Sequence, residues 1–202
     1  MGARPVRGGR PGHAGPVLTP SPWWFGPPAL HPPADGAPFD LVLLDRDGTL
    51  NVRVPDDYVT RPEDLELLPG AAQAVGRLTR AGCRTVLVTN QRGIARGLMD
   101  RDALVAVHAR LESLLRVEGG RLDAVVVCPH DHGECGCRKP LDGLFREALR
   151  RASRADPAGC VMVGDMPSDL EPAGRLGMRT ERVAVDRPVG DAVTRLLGPS
   201  GH

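Results

Sequence analysis

The chain has 202 residues, a formal net charge of +1 and 41% hydrophobic residues, a size that fits one domain with a substantial core. Arginines and acidic residues are interleaved along the chain. This argues against a nucleic-acid partner, because proteins that bind nucleic acids usually carry a strongly basic patch. The sequence contains neither an apolar run of membrane-spanning length nor the apolar segment of a secretory signal. Its five cysteines, three of them within ten residues, favour a reduced metal site over a disulfide framework. We therefore expect a cytoplasmic monomer with no membrane or nucleic-acid partner.

The first 38 residues differ in composition from the rest, with ten prolines and seven glycines. Such a stretch buries too little apolar surface to offset its ordering entropy, so we predict a mostly disordered tail. Trp23-Trp24-Phe25 holds half of the chain's six aromatic residues. Two alternatives stay open for it: docking onto the domain or a partner, or a tail that contacts nothing. We place the folded domain at residues 39–198.

From Phe39 onward, short apolar runs alternate with amphipathic segments. The predicted elements, in chain order, are a strand at Leu41–Leu44, a helix at Pro69–Ala81, a strand at Arg84–Val88, a helix from Asp100 to about Val117, a strand at Val125–Val127, a helix after Asp142, a strand at Cys160–Val163, a helix from about Ser168, a strand at Arg182–Val185 and a helix ending at Leu197. This order predicts an α/β fold, a Rossmann-like doubly wound parallel sheet covered on both faces. Ligands of such sheets bind outside the carboxyl ends of the strands.

Two aspartates, Asp45 and Asp47, follow the first buried strand. Two carboxylates at this spacing can divide the work of catalysis, one as nucleophile and one as proton donor and acceptor. Gly48 allows the sharp turn that follows. The alternative is an ordinary turn rich in aspartate and glycine.

Polar groups also follow two later strands. Thr89–Gly97 offers a hydroxyl that can donate to a phosphoryl oxygen, with helix capping as the alternative. Asp165 and Asp169 can join Asp45 around Mg²⁺, which prefers oxygen ligands. For Asp169, favourable charge at a helix N-terminus is an equal alternative.

A cysteine-rich loop precedes the chain's single lysine. Three thiols and one imidazole within ten residues suit a closed tetrahedral zinc site of structural type; they belong to Cys128, His130, Cys135 and Cys137. His132 is a rival imidazole ligand, and Cys83 and Cys160 are expected in the core. Lys139 stands alone among 25 arginines. A compact point charge there suits a pocket for one phosphoryl oxygen.

In their order along residues 39–185, these pieces resemble the four motifs of the haloacid dehalogenase superfamily of phosphatases. The resemblance implies that Asp45 is the nucleophile that forms an aspartyl-phosphate and that Asp47 is the general acid and base. It implies that Thr89 and Lys139 hold the phosphoryl group. It assigns Mg²⁺ to Asp45, to the backbone carbonyl of Asp47 and to Asp165.

The loops resemble one branch of this superfamily, the heptose bisphosphate phosphatases and histidinol-phosphatases. Thr89–Gly97 is closer to the heptose enzymes, which implies release of the 7-phosphate of D-glycero-D-manno-heptose 1,7-bisphosphate. Two departures keep histidinol phosphate as the alternative substrate: Arg92 replaces a usual serine, and only four residues separate His130 from Cys135. A zinc-stabilised binding module without catalysis is a third hypothesis.

No large cap domain fits between Asp47 and Thr89, so we expect loops to shape the substrate site. By the resemblance, the substrate contacts are Asn51, Tyr58, Asn90, Gln91, Arg92 and Arg138. Arg138 is suited to bidentate contact with a remote phosphate. For Tyr58, surface packing is an equal alternative.

Overall fold

The protein is represented by a computed structural model that describes residues 20–55, 57–153 and 155–199. These residues form a six-stranded sheet of order β1-β4-β3-β2-β5-β6. The strands are β1 Trp23–Phe25, β2 Leu41–Leu44, β3 Thr85–Asn90, β4 Ala124–Cys128, β5 Cys160–Gly164 and β6 Arg179–Arg182. The helices are α1 Ala71–Arg80, α2 Arg101–Arg116, α3 Gly143–Arg151, α4 Pro167–Arg175 and α5 Val189–Leu197. Strands β2 to β6 pair in parallel, so the predicted α/β doubly wound fold is confirmed.

The sheet is buried on both faces, and strands β2, β4 and β5 are buried at every position. In β2, Val42 and Leu44 belong to one core cluster, whereas Leu41 and Leu43 belong to the other. Helices α1, α2 and α5 cover the first face, and α3 contributes Leu144 and Phe145 to the second. Alternate side chains of a strand point to opposite faces, so one short apolar run supplies both cores.

The helices begin and end close to the predicted positions. Asp100 caps α2, where its side chain accepts a hydrogen bond of 2.8 Å from the backbone NH of Ala103. Gly70, with φ 79°, precedes α1 in a left-handed conformation that favours glycine. Within the described part of the chain, each helix is too short or too polar to cross a bilayer.

The last strand lies three residues before its predicted place. The apolar pattern predicted a strand at Arg182–Val185, but β6 pairs with β5 over Arg179–Arg182 and carries mostly exposed side chains. Val183 is buried just after the strand, and Val185 is fully exposed. The prediction was wrong because the apolar Val183 packs into the core just after the strand, whereas the backbone that pairs with β5 belongs to the polar residues before it.

The aromatic segment Trp23–Phe25 forms strand β1, which pairs antiparallel with β4. Trp23 and Phe25 pack on one core cluster and Trp24 packs on the other. The Arg101 guanidinium lies 5.2 Å from the centroid of the Phe25 ring, and Arg151 lies 5.0 Å from a Trp24 ring. A domain boundary at residue 39 would therefore separate a strand from its sheet. The predicted disorder of residues 1–19 concerns a segment outside the described residues.

The order of the strands locates the crevice. Strand β2 lies between β3 and β5, and the chain runs from β2 through β3 to β4 before it crosses back to β5. The topological switch point is thus at the carboxyl end of β2, where ligands of such sheets bind. The described residues between Asp47 and β3 form loops, a short 3-10 helix and α1, without a large cap domain.

Candidate active site

Polar residues from the carboxyl ends of β2, β3 and β5, and from the loop before α3, meet around one cavity of about 570 Å³. The predicted site residues that line it are Asp45, Asp47, Tyr58, Thr89, Asn90, Arg92, Arg138 and Lys139. Arg53, Arg96, His132, Met166, Ser168 and Asp169 line it as well. The predicted motifs therefore converge although they are far apart in the sequence.

Lys139 lies between two buried carboxylates at the base of the cavity. Its Nζ donates to Oδ1 of Asp45 at 2.5 Å and to the carbonyl of Val88 at 2.9 Å, and it lies 2.6 Å from Oδ1 of Asp169. Burial lowers the pKa of Lys139, but the charges of Asp45 and Asp169 outweigh it and raise that pKa above its ordinary value. Lys139 therefore carries its positive charge where an anion would bind.

Asp45 has an unusual environment for a carboxyl group. Burial, together with the nearby charges of Asp169 and Asp47, raises its pKa to about 7, and the charge of Lys139 opposes this rise. A second cation beside Asp45 would favour its ionised form. A carboxylate of this kind at a strand end can act as a nucleophile once a cation stabilises it.

Asp47 is held as a carboxylate by three side chains. The Arg46 guanidinium donates to its Oδ1 at 3.0 and 3.2 Å, Asn51 donates to the same oxygen at 3.0 Å, and Gln91 donates to Oδ2 at 2.9 Å. Burial raises the pKa of Asp47, but Arg46 and the hydrogen bonds hold it below its ordinary value. In this arrangement Asp47 is ionised and suited to accept a proton.

The carboxyl end of β3 and the start of the loop after it position both ends of the site. Thr89 lines the cavity, and its Oγ1 accepts a hydrogen bond of 2.8 Å from Gln91. The side chain of Asn90 exchanges two hydrogen bonds of 3.1 Å with the backbone of Lys139. This segment therefore fixes Lys139 from one side and Asp47 from the other.

The six residues predicted to contact substrate fall into two groups. Tyr58, Asn90, Arg92 and Arg138 line the cavity. Asn51 and Gln91 are fully buried, and they are not among the described residues that form its wall. In this structure they bind the carboxylate of Asp47 instead.

A carboxylate cluster suited to a hard cation lies beside Lys139. Asp45, Asp165 and Asp169 each offer an oxygen, and these oxygens lie within 4.8 Å of one another. Both oxygens of Asp169 are already engaged, one near Lys139 and one with the backbone NH of Met166 at 3.0 Å. Burial raises the pKa of Asp165, and the charge of Arg53 opposes the rise. Oxygen donors of this kind fit Mg²⁺.

A second cluster, of sulfur and nitrogen ligands, lies at the end of β4 and in the loop that follows. Ligand atoms of Cys128, His130, Cys135 and Cys137 lie within 4.8 Å of one another, with Cys137 Sγ 3.3 Å from both Cys135 Sγ and His130 Nδ1. The hydrogen bond between Cys128 and Cys137 is the main cause of two opposite shifts. It lowers the pKa of Cys128 to about 5 and raises the pKa of Cys137. Thiolates and an imidazole at these separations suit zinc. His130, rather than His132, belongs to the cluster.

Comparison with known proteins identifies the family. The sequence model of the haloacid dehalogenase-like hydrolases matches residues 44–177. The chain belongs to the haloacid dehalogenase-like hydrolase family. The family predicted from the four motifs is thereby confirmed.

Relatives within the haloacid dehalogenase-like hydrolases are phosphatases. The chain is 45% identical over 139 residues to D-glycero-beta-D-manno-heptose-1,7-bisphosphate 7-phosphatase of Bordetella bronchiseptica, covering 68% of this chain and 76% of that protein. It is 42% identical over 131 residues to D-glycero-alpha-D-manno-heptose-1,7-bisphosphate 7-phosphatase of Mycobacterium bovis, covering 64% of this chain and 69% of that protein. A crystal structure of the Bordetella bronchiseptica enzyme with magnesium and phosphate superposes with a TM-score of 0.68 at 40% identity, covering 78% of this chain and 87% of that one.

Several residues of this hydrolase site escaped the sequence analysis. Arg46 is fully buried and holds Asp47, and its position between two motif aspartates was the available signal. His108 lies 3.5 Å from Arg46, and burial lowers its pKa to about 3, so its ring is neutral beside the guanidinium. Arg53 contacts Asp165 and the carbonyl of Asp47. One arginine among 25 gives no such indication in the sequence.

Proposed function

We propose that the protein is a magnesium-dependent phosphatase that releases the 7-phosphate of D-glycero-D-manno-heptose 1,7-bisphosphate. The observation that carries this proposal is the state of Arg138. Its Nε and Nη1 atoms are buried and have no hydrogen-bond partner among the described residues, although Arg138 lines the same cavity as Lys139. Buried guanidinium N–H groups require an acceptor, and an oxygen of a second phosphate would supply one.

The other cationic groups of the cavity support a doubly charged substrate. Lys139 lies at its base, whereas Arg53, Arg92 and Arg96 line its wall. If one phosphate binds at Lys139, these guanidinium groups remain available to bind a second anionic group. One relative is named for the beta anomer of the 1,7-bisphosphate and another for the alpha anomer, so both anomers belong in the test.

In the proposed mechanism, Asp45 attacks phosphorus and the bond from phosphorus to the sugar oxygen breaks. The product of this step is an aspartyl-phosphate on Asp45. Lys139 and Thr89 hold the phosphoryl oxygens as their charge develops. Asp47 in its protonated form gives a proton to the departing sugar oxygen, then takes one from the water that hydrolyses the aspartyl-phosphate.

The contacts of Asp47 in this chain affect both halves of that exchange. Arg46, Asn51 and Gln91 hold its carboxylate in place, so the form that accepts a proton from water is stabilised. Donation to the leaving oxygen requires the protonated form, and the contacts that lower the pKa of Asp47 favour rapid loss of that proton.

We assign the carboxylate cluster to magnesium and the cysteine cluster to zinc. Magnesium held by Asp45, Asp165 and the Asp47 carbonyl would offset the negative charge of the phosphate when bound. Zinc held by Cys128, His130, Cys135 and Cys137 would order the loop that carries Arg138 and Lys139. We also propose that the protein is a cytoplasmic monomer, which light scattering would test for its oligomeric part.

Side-by-side turnover measurements test the substrate. Both anomers of heptose 1,7-bisphosphate, heptose 7-phosphate and histidinol phosphate would be assayed with Mg²⁺. We expect the highest kcat/KM on one bisphosphate anomer, with the 1-phosphate left in the product. Higher kcat/KM on histidinol phosphate would contradict the proposal.

The role of Arg138 has its own control in this assay. Arg138→Met should lower kcat/KM on the bisphosphate and leave turnover of heptose 7-phosphate nearly unchanged, because the second substrate lacks the remote phosphate. Equal losses on both substrates would show that Arg138 does not bind that group.

A further inference from the structure

Arg53 lies on the loop after β2 and contacts two of the groups assigned to magnesium. Its Nη2 donates to the backbone carbonyl of Asp47 at 2.9 Å and to the two carboxylate oxygens of Asp165 at 2.9 and 3.0 Å. A cation held by the Asp47 carbonyl and Asp165 would need these same oxygens. The guanidinium and a metal ion therefore compete for them.

The backbone at Gly48 permits this close approach. Gly48 has φ 89°, and a Cβ atom there would collide with the Asp165 carboxylate and lie 3.2 Å from Arg53 Nε. A side chain at residue 48 would thus separate the loop from Asp165. The turn that follows the catalytic aspartates leaves room for a cation beside Asp165, whether guanidinium or metal.

The two cation–carboxylate contacts of the site differ in exposure. The pair of Lys139 and Asp45 is buried, with side-chain exposures of 3% and 7%. The pair of Arg53 and Asp165 is more open, with 44% and 18%. Partly exposed ion pairs contribute little free energy, so a divalent ion can replace Arg53 far more readily than Lys139.

A displaced Arg53 would remain near the substrate. It lines the cavity together with Arg92, Arg96 and Arg138. Repulsion between a bound divalent ion and the guanidinium would direct Arg53 away from Asp165. Its donors would then be available to an anionic group in the cavity.

We propose that Arg53 is a displaceable counter-cation of the metal site: it occupies the Asp47 carbonyl and Asp165 without metal, weakens metal affinity, and turns to the substrate anion when metal binds. This inference rests on the proposed function for the assignment of the metal ligands. Metal binding and anion binding then favour each other, because the metal releases the Arg53 guanidinium from Asp165 and the anion binds that released guanidinium.

Metal affinity without substrate tests the inference. The full-length, zinc-loaded protein is titrated with Mn²⁺ as the probe, and electron paramagnetic resonance measures the concentration of free Mn²⁺. Arg53→Met should bind Mn²⁺ about fivefold more tightly than the wild type, since a competing, partly exposed ion pair is lost. Unchanged or weaker affinity of the variant would overturn the inference.

A matched control and a ligand variant complete the design. Arg195 forms a pair with Glu181 at 3.0 Å with similar exposures of 40% and 12%, and neither residue lines the cavity. Arg195→Met should leave Mn²⁺ affinity unchanged. Asp165→Ala should lose Mn²⁺ binding; if it does not, the proposed metal site itself fails, independently of Arg53.

A second measurement covers the case in which Arg53→Met does not fold. Phenylglyoxal modifies accessible arginines, and mass spectrometry gives the rate at each position. In the wild type, Mn²⁺ should raise the modification rate of Arg53 and leave that of Arg195 constant. A constant or lower rate at Arg53 would contradict displacement.

Discussion

The two clusters that we assign to metal ions are built in opposite ways. The four ligands of the cysteine cluster come from ten consecutive residues at the end of β4 and in the loop after it, whereas Asp45 and Asp165 follow β2 and β5, far apart in the chain. The backbone pairing of β2 with β5 brings the two aspartates together without a metal. The loop after β4 has no such framework. We infer that zinc would stabilise its fold, whereas magnesium would bind at a site that the sheet already positions.

The two clusters also differ in the groups that balance their negative charge. Lys139 and Arg53 contact the carboxylates, so those negative charges are offset within the described structure. Cys128 and Cys137 contact Cys135 and His130 instead. Loss of a ligand from the carboxylate cluster should therefore reduce catalysis, whereas loss from the cysteine cluster should reduce stability.

The strongest test replaces the proposed nucleophile. Asp45→Asn keeps the shape of the side chain and removes its ability to attack phosphorus, so kcat should fall by about 10⁴-fold or more. Thermal denaturation should show a folded protein. Activity close to that of the wild type would rule out Asp45 as the nucleophile.

The next test changes the shape of a charge and keeps its sign. Lys139→Arg places a planar fork where a single Nζ fits between Asp45, Asp169 and the Val88 carbonyl, and we expect kcat to fall about a hundredfold. The reverse exchange on the surface, Arg146→Lys, serves as the control and should have no effect. Normal turnover of Lys139→Arg would mean that charge alone suffices.

Removal of zinc should affect stability first. Chelation, or Cys135→Ser, should lower Tm by roughly 10 °C because metal-binding free energy contributes to folding of the loop. Zinc should restore Tm after chelation, whereas magnesium should not. Asp165→Asn is the counterpart and should lose turnover with a Tm shift of only about 2 °C. Equal Tm losses in both variants would contradict the difference between the clusters.

The smallest expected effect concerns the link between the loops. Arg92 Nε lies 2.6 Å from Oδ1 of Asp131, next to His130, and both side chains are one-third exposed. Arg92→Met should lower the free energy of unfolding only slightly, because solvent screens this pair, and should raise KM a few-fold. Asp131→Asn should have a similar effect, and the double variant should be little worse than either. Additive losses would show that the two side chains act separately.

Residue type and order predicted most of the fold and the centre of the site. Apolar runs such as Leu41–Leu44 identify buried strands because every position must suit a core. Asp45, Lys139 and the cysteine loop are recognisable because their residue types are scarce or closely spaced. Convergence at the strand ends followed from the parallel topology.

What the sequence did not predict depends on three-dimensional pairing. Arg53 looks like any other arginine until Asp165 lies beside it, and only its position between two motif aspartates distinguishes Arg46. By the family resemblance, Asn51 and Gln91 were predicted to contact substrate, but in the structure both are buried and donate to the carboxylate of Asp47. The strand at Arg179–Arg182 is polar because only its backbone joins the sheet.

Strand β1 has a consequence for the behaviour of the purified protein. It covers the backbone edge of β4, whose residues Ala124–Cys128 are all buried and mostly valine. A chain shortened past Phe25 would present that edge as a template for pairing with other copies, and aggregation would follow during expression or storage. The three aromatic residues of β1 thus prevent β4 from pairing with a strand of another copy.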